Sequence, residues 1–155
     1  MSGPQIGDAI PAVKLLDADG AAIDLAAMTG APLVVYFYPK ADTPGCTTEG
    51  QDFSTLIDRF AAADTVVIGV SRDTVKKLDR FKAKHDLKVV LGSDEDGAVT
   101  EAWGVWVQKN LYGREYMGIE RATFLIDAEG RVAKAWRNVK VADHAAAVLE
   151  AARAL

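Results

Sequence analysis

Cysteine is almost absent from this chain, because only one of its 155 residues, Cys46, carries a thiol. A single cysteine cannot form an intrachain disulfide, and it cannot build a zinc site from several thiolates. The chain also lacks any apolar run near the roughly 18 residues that a membrane span needs. Residues 1–5 have neither the basic nor the apolar region of a signal peptide. These absences predict a cytoplasmic protein that does not cross a membrane.

Excess positive charge and cofactor motifs are missing as well. The formal net charge is −4, which gives no general attraction to nucleic acid or to anionic lipid. Neither Gly-x-Gly-x-x-Gly nor a P-loop occurs, so no nucleotide cofactor is indicated. His85 and His144 lack metal-ligand spacing, and residues 94–97 match only part of a calcium loop. We therefore predict no cofactor, no bound metal and no nucleic-acid partner.

What the chain does contain is an alternation of short apolar runs with amphipathic stretches. Hydrophobic types make up 50% and charged types 26%, a balance typical of globular proteins. The length, without a repeat or linker, predicts one domain over residues 1–155. The alternation indicates an α/β sandwich around a mixed sheet. The predicted elements are a β-hairpin over 13–25, strands over 33–38, 66–70 and 89–91, helices around 53–61, 74–85 and 98–103, a polar loop to about Gly118, strands over 122–127 and 131–136, and a final helix over 143–154 capped by Asp143.

The segment around Cys46 has the features of a reactive site. It follows the buried strand over 33–38 and precedes an amphipathic helix, so it lies where α/β proteins commonly bind ligands. Thr43 followed by Pro44 predicts a helix start with a hydroxyl N-cap, which places Cys46 in the first turn among free backbone N–H groups. That position favours the thiolate. For an ordinary cysteine, full ionisation gains at most a factor of roughly 30 at pH 7, so other donors must stabilise the transition state.

The alternative interpretation of Cys46 is a small buried packing residue, which is what most lone cysteines are. Its neighbours argue against this. Thr47, Thr48 and Glu49 follow it directly, whereas a core position would more often have apolar neighbours. The local sequence therefore favours a reactive thiol.

The same segment resembles the active site of peroxiredoxins, and most closely that of the bacterioferritin comigratory protein group, also called peroxiredoxin Q. Pro39, Thr43 and Cys46 meet the family pattern Pro-x-x-x-Thr/Ser-x-x-Cys. The resemblance continues through residues 69–73, 104–106 and 117–127, so it covers nearly the whole chain in order. It implies a thioredoxin-like fold with an N-terminal β-hairpin extension.

The resemblance also implies a role for each of a small set of residues. Cys46 would attack the terminal oxygen of a hydroperoxide, giving water or an alcohol and a Cys46 sulfenic acid. The implied helpers are Thr43, which hydrogen-bonds the thiolate and the substrate; Arg121, whose guanidinium stabilises the developing charge; Pro39, which shields the pocket from water; Glu49, which orients the arginine; and Arg137, a second, supporting arginine.

One departure from the family concerns how the sulfenic acid is reduced. Many members of the group carry a resolving cysteine five residues after the first, and here that position is Gln51. The expected reductant is therefore an external thiol: thioredoxin, glutaredoxin with glutathione, or another small thiol. A disulfide between two copies through Cys46 is an alternative, so monomer and homodimer both stay open.

Other functions and sites stay open from the sequence alone. Cys46 could serve a redox sensor or regulator that forms mixed disulfides, or it could be structural in an interaction module. A basic stretch follows the predicted strand over 66–70. We interpret it as a solvated helix face, with a docking site for a protein reductant as the alternative. Its members are Lys76, Lys77, Arg80, Lys82, Lys84 and Lys88.

Overall fold

The computed structural model describes residues 3–155. Met1 and Ser2, which begin the stretch where no signal peptide is predicted, lie outside this range. Along the chain the elements are β1 (Lys14–Asp17), β2 (Ala22–Asp24), a 3₁₀ turn (Leu25–Ala27), β3 (Leu33–Phe37), α1 (Pro44–Thr55), α2 (Ile57–Ala62), β4 (Val66–Ser71), α3 (Val75–Lys84), β5 (Val90–Ser93), α4 (Ala98–Ala102), β6 (Trp106–Leu111), β7 (Arg114–Ile119), β8 (Ala122–Ile126), β9 (Val132–Trp136) and α5 (His144–Arg153). Within residues 3–155, no helix is both long and apolar enough to span a membrane.

Seven strands form one mixed sheet in the order β2-β1-β5-β4-β3-β8-β9. The central strands β3, β4 and β5 run parallel, while β1, β2, β8 and β9 join antiparallel. All five residues of β3 are buried. This explains the continuous apolar run, since a strand covered on both faces carries apolar residues throughout. The mixed sheet and the N-terminal hairpin predicted from the sequence are thus confirmed.

The two faces of the sheet bury separate cores. Alternate residues of β3 point to opposite sides, so Val34 and Tyr36 enter one core and Phe37 enters the other. In the first core the Tyr36 ring stacks on Phe53 of α1, with centroids 4.6 Å apart. This contact holds α1, the helix that carries Cys46, against the sheet.

The predicted polar loop before Gly118 is wrong, because this stretch forms the hairpin β6–β7, a separate two-stranded sheet. Its strands are largely exposed, so their side chains do not show the apolar alternation that marks a half-buried strand. Tyr112 and Gly113 form the turn with φ of 52° and 79°, the left-handed pair that tight hairpin turns require.

Two helix predictions also need correction. The pattern over 53–61 falls on two helices, since α1 ends at Thr55 and α2 begins at Ile57. The hydroxyls of Ser54 and Thr55 donate to carbonyl groups four residues earlier, a bond that tends to bend a helix. Asp143 does precede α5, but its φ is 60° and its side chain makes no capping hydrogen bond.

Candidate active site

Cys46 lies in the first turn of α1, as the sequence predicts. Thr43 occupies the N-cap position with Pro44 next, and the Thr47 N–H donates to Thr43 O at 2.9 Å. Cys46 is 2% exposed and belongs to the core that contains Tyr36. The thiol therefore lies at a helix N-terminus and packs against the apolar core.

Arg121 contacts this sulfur from a distant part of the chain. Its Nη2 donates to Cys46 Sγ at 3.5 Å, and its Nη1 donates to Glu49 Oε1 at 2.6 Å. The sheet explains the meeting, because β8 pairs with β3 in a register that sets Ala122 opposite Phe37. Arg121 just before β8 thus faces the loop that leaves β3. One guanidinium fork serves two acceptors, which a lysine could not do in the same way.

Glu49 is the most buried charged partner in the site. It follows Cys46 by three residues on α1, which puts both side chains on one helix face. Glu49 is 1% exposed, and its Oε2 has no hydrogen-bond partner among the described residues. Burial raises the pKa of Glu49 to about 7, although the Arg121 charge opposes this rise. Burial lowers the pKa of Arg121, but the nearby Glu49 and Cys46 outweigh the burial, so the pKa of Arg121 is raised overall.

Thr43 and Pro39 lie on the loop before α1. The Thr43 hydroxyl donates to Lys40 O at 2.7 Å, so in this structure its proton is not directed at the sulfur. The helix start is as predicted, but the hydroxyl N-cap is not formed. The hydroxyl oxygen keeps lone pairs that can accept a hydrogen bond. Pro39 is exposed at the start of the loop.

Arg137 does not reach the sulfur and instead holds a neighbouring carboxylate. It donates to both oxygens of Glu120, at 2.9 and 2.8 Å, and to Gly104 O at 2.8 Å. Glu120 precedes Arg121, and the Val139 N–H donates to Arg121 O at 2.9 Å. These contacts fix the backbone that carries Arg121.

The loop before Cys46 is fastened to the start and the end of α3, which sequence reasoning missed. The Ala41 N–H donates to Asp73 Oδ2 at 2.8 Å. Asp42 pairs with Lys84 at 2.9 Å and with His85 at 2.7 Å. No local pattern marks these contacts, since they join residues 32 to 43 positions apart.

Lys109 on β6 is a second residue that the sequence did not single out. It lines a groove of about 400 Å³ together with Arg121, and the rest of the lining includes Glu120, Val139 and Lys140. Burial, and then the nearby Arg121 charge, lower the pKa of Lys109. The misinterpreted hairpin explains why Lys109 was missed.

Comparison with known proteins identifies the family of the chain. The AhpC/TSA family model matches residues 6–135. Peroxiredoxin Bcp of Bacillus subtilis is 48% identical over 146 residues, covering 94% of this chain and 93% of that protein. Peroxiredoxin Bcp of Xanthomonas campestris is 52% identical over 135 residues, covering 87% and 84%.

Solved structures give the same result. The Xanthomonas campestris bacterioferritin comigratory protein, studied for its alkyl peroxide reduction activity, superimposes with a TM-score of 0.89 at 46% identity, covering 99% of this chain and 98% of the other. A cysteine-to-serine mutant of Xylella fastidiosa PrxQ superimposes with a TM-score of 0.94 at 40% identity, with the same coverage. The fold is therefore that of thioredoxin-like peroxiredoxins, and the chain belongs to the AhpC/TSA family as a peroxiredoxin of the Bcp, or peroxiredoxin Q, group.

Proposed function

We propose that this peroxiredoxin is a thiol-dependent peroxidase that reduces hydrogen peroxide and organic hydroperoxides through Cys46. The observation that carries the proposal is the 3.5 Å contact from Arg121 Nη2 to Cys46 Sγ, with Glu49 holding the other arm of the same guanidinium at 2.6 Å. The family membership and the alkyl peroxide reduction described for the Xanthomonas campestris relative support it.

In the first step the Cys46 thiolate attacks the terminal oxygen of the hydroperoxide. A sulfur–oxygen bond forms and the O–O bond breaks, so sulfur is oxidised by two electrons and the peroxide is reduced by two. The departing alkoxide or hydroxide takes up from solvent the proton that the Cys46 thiol released on ionising, so an alcohol or water leaves. Arg121 stabilises the charge along the breaking bond. Thr43 accepts a hydrogen bond from the peroxide O–H through its free lone pairs, and Pro39 limits water at the sulfur.

In the second step an external thiol attacks the Cys46 sulfenic acid. The products are a mixed disulfide and one water. A second thiol then attacks the mixed disulfide, which releases Cys46 as a thiol and gives the disulfide form of the reductant. The sequence has no other cysteine for this role, and Gln51 stands five residues on. The candidate reductants are thioredoxin, glutaredoxin with glutathione, and small thiols. The enzyme would work in the cytoplasm as a single domain, either as a monomer or as a homodimer.

Stopped-flow fluorescence tests the first step. Trp136 packs against the core that contains Cys46, so oxidation should change its emission. We expect a second-order reaction far faster than that of a free thiol at the same pH, lost in Cys46→Ser. Intact-mass measurement after one equivalent of peroxide should show the sulfenic acid, trapped with a dimedone-type reagent. A rate no higher than that of a free thiol would refute the peroxidase function.

A redox sensor is the second candidate, and the burial of Cys46 favours it. With 2% exposure, the sulfur is hard for a bulky reductant to reach, so an oxidised form could persist. Turnover with thioredoxin, glutaredoxin plus glutathione, and dithiothreitol separates the two functions. Steady turnover with any of them supports the enzyme, whereas a single oxidation event without turnover supports the sensor.

A further inference from the structure

We propose that the exposed side of α3 is the docking surface for the thiol reductant, and that this partner carries carboxylates near its reactive cysteine. We call this surface the basic face of α3; it consists of Lys76, Lys77, Arg80 and Lys84. The inference deepens the proposed function and rests on it, because it assumes that an external thiol resolves Cys46.

The basic face lines a surface groove of about 350 Å³. Lys77 pairs with Asp73 at 3.2 Å and Lys84 with Asp42 at 2.9 Å. Lys76 and Arg80 are exposed, and among residues 3–155 neither lies within salt-bridge distance of a carboxylate. The groove therefore presents two uncompensated cations side by side, one helical turn apart.

This groove lies beside the active-site loop. Asp42 is part of its lining and precedes Cys46 by four residues, a stretch that spans at most roughly 14 Å. Phe81, which also lines the groove, packs against the Tyr38 ring with centroids 6.1 Å apart. A partner seated on the basic face would thus hold its own cysteine within a short reach of Cys46.

The charge of the groove selects the partner. The whole chain carries −4, yet the groove is lined by four cations and one carboxylate, that of Asp42. Such a local field favours an acidic surface and speeds its encounter with the groove, and salt screens the effect. A cationic partner would be repelled from the same place.

Docking would also help to expose Cys46. The sulfur is buried, and the loop in front of it is fastened partly by the Asp42–Lys84 pair. The Lys84 side chain is 62% exposed, so a partner carboxylate can compete with Asp42 for it. Loss of that pair would loosen the loop when the reducing thiol is present.

Two cysteine peptides of equal length, one flanked by Asp and Glu and the other by Lys, test the proposal. Protein oxidised with one equivalent of peroxide is mixed with each peptide, quenched at short times and analysed by intact mass for the mixed disulfide. At low ionic strength we expect the acidic peptide to react about tenfold faster than the basic one. The difference should shrink at roughly 0.5 M salt.

Paired variants localise the effect. The double variant K76E/R80E should abolish or reverse the preference for the acidic peptide. The control K14E/R59E changes two exposed cations outside α3 and alters the net charge equally, so it should keep the wild-type preference. Dithiothreitol reacts through its thiolate but has no charged flanking groups, so its rate of resolution should be similar in all three proteins.

Two outcomes would overturn the docking surface. One is an equal rate for both peptides with the wild-type protein. The other is a K76E/R80E variant that still prefers the acidic peptide as strongly as K14E/R59E does. A sulfenic acid that reacts with no thiol, dithiothreitol included, would instead refute the proposed function from which the inference starts.

Discussion

At the scale of single residues, the site depends on one guanidinium that touches both the sulfur and a buried carboxylate. Replacing Arg121 with Gln removes the cation while keeping some hydrogen-bonding capacity. We expect the second-order rate with hydrogen peroxide to fall by about 10²- to 10³-fold, the usual cost of losing a transition-state donor. Arg121→Lys should fall in between, because a lysine keeps the charge but cannot bridge Cys46 and Glu49. Stopped-flow fluorescence measures all three rates.

Arg72 provides the control for losing a partly buried guanidinium. It donates to Thr100 and to Gly97, and it lies over the Trp106 ring at 3.4 Å. Arg72→Gln should lower the melting temperature but leave the peroxide rate within about threefold, because Arg72 is not at the sulfur. Equal losses of rate in the Arg72 and Arg121 variants would show that the contact with Cys46 has no special role.

The residues of the site differ in how far the sequence could predict them. The position of Cys46 follows from a local signal, Thr43 and Pro44 before a helix. Arg121 lies 75 residues away from Cys46, and only the family resemblance placed it at the sulfur. The pairs made by Asp42 could not be predicted, because they depend on how α3 packs beside the loop.

At the scale of secondary-structure elements, the loop between β3 and α1 is fastened to α3 through Asp42. Asp42→Asn removes the charge that pairs with Lys84 and His85, while asparagine tolerates the left-handed backbone at φ 63°. We expect faster amide hydrogen exchange over residues 40–47 by about threefold to tenfold, with little change in the remainder of the chain. Exchange followed by mass spectrometry measures this.

Asp86→Asn is a closely matched control for that experiment. Asp86 also has a positive φ, 50°, and also pairs with a lysine, Lys88, at 2.9 Å. It lies beyond the end of α3, and its salt bridge does not involve the active-site loop, so exchange over residues 40–47 should match the wild type. Faster exchange in both variants would mean that any lost surface pair loosens the protein.

Packing between β3, β4 and α1 leaves no room at Gly69. A Cβ atom at this position would lie 2.5 Å from Tyr36 Cζ, and the Tyr36 ring stacks on Phe53 of α1. Gly69→Ala should destabilise the protein by about 1–3 kcal/mol, lowering the melting temperature by roughly 3–10 °C. It should also slow the peroxide reaction, because α1 carries Cys46.

Gly118→Ala is the control for this overpacking. Its Cβ would meet Lys109 Cδ at 3.2 Å, and a flexible lysine chain can move aside. We expect a change in melting temperature below about 2 °C. A Gly69 variant as stable as the Gly118 variant would contradict the account of the Tyr36 packing.

The elements themselves were predictable where burial imposes a period. The buried run of β3 and the amphipathic pattern of α3 identify a strand and a helix, because each pattern reflects what covers the element. The hairpin β6–β7 lies outside the main sheet with both strands largely exposed. Its sequence therefore carries no burial pattern, and Lys109 was missed with it.

At the scale of the whole molecule, two buried groups give opposite pH dependences of stability. Burial raises the pKa of Glu49 from 4.5 to about 7, so the folded state holds this proton more tightly, and stability falls as the pH rises from 4.5 to 7. Burial, helped by the Arg121 charge, lowers the pKa of His144 from 6.5 to about 4, so stability rises as the pH rises from 4 to 6.5. The two contributions largely cancel between pH 4.5 and 6.5.

Removing either group should make the pH dependence contributed by the other measurable. His144→Asn can keep a hydrogen bond to Thr123, which contacts His144 at 2.8 Å. Relative to the wild type, the melting temperature of this variant should fall by about 5 °C as the pH rises through the range in which the two contributions cancel. Glu49→Gln should shift in the opposite direction by a similar amount. Calorimetry across this range gives both differences, and the other titrating groups drop out because each variant is compared with the wild type at the same pH. If the melting-temperature difference from the wild type changed with pH in the same direction in both variants, these buried groups would not act in opposition.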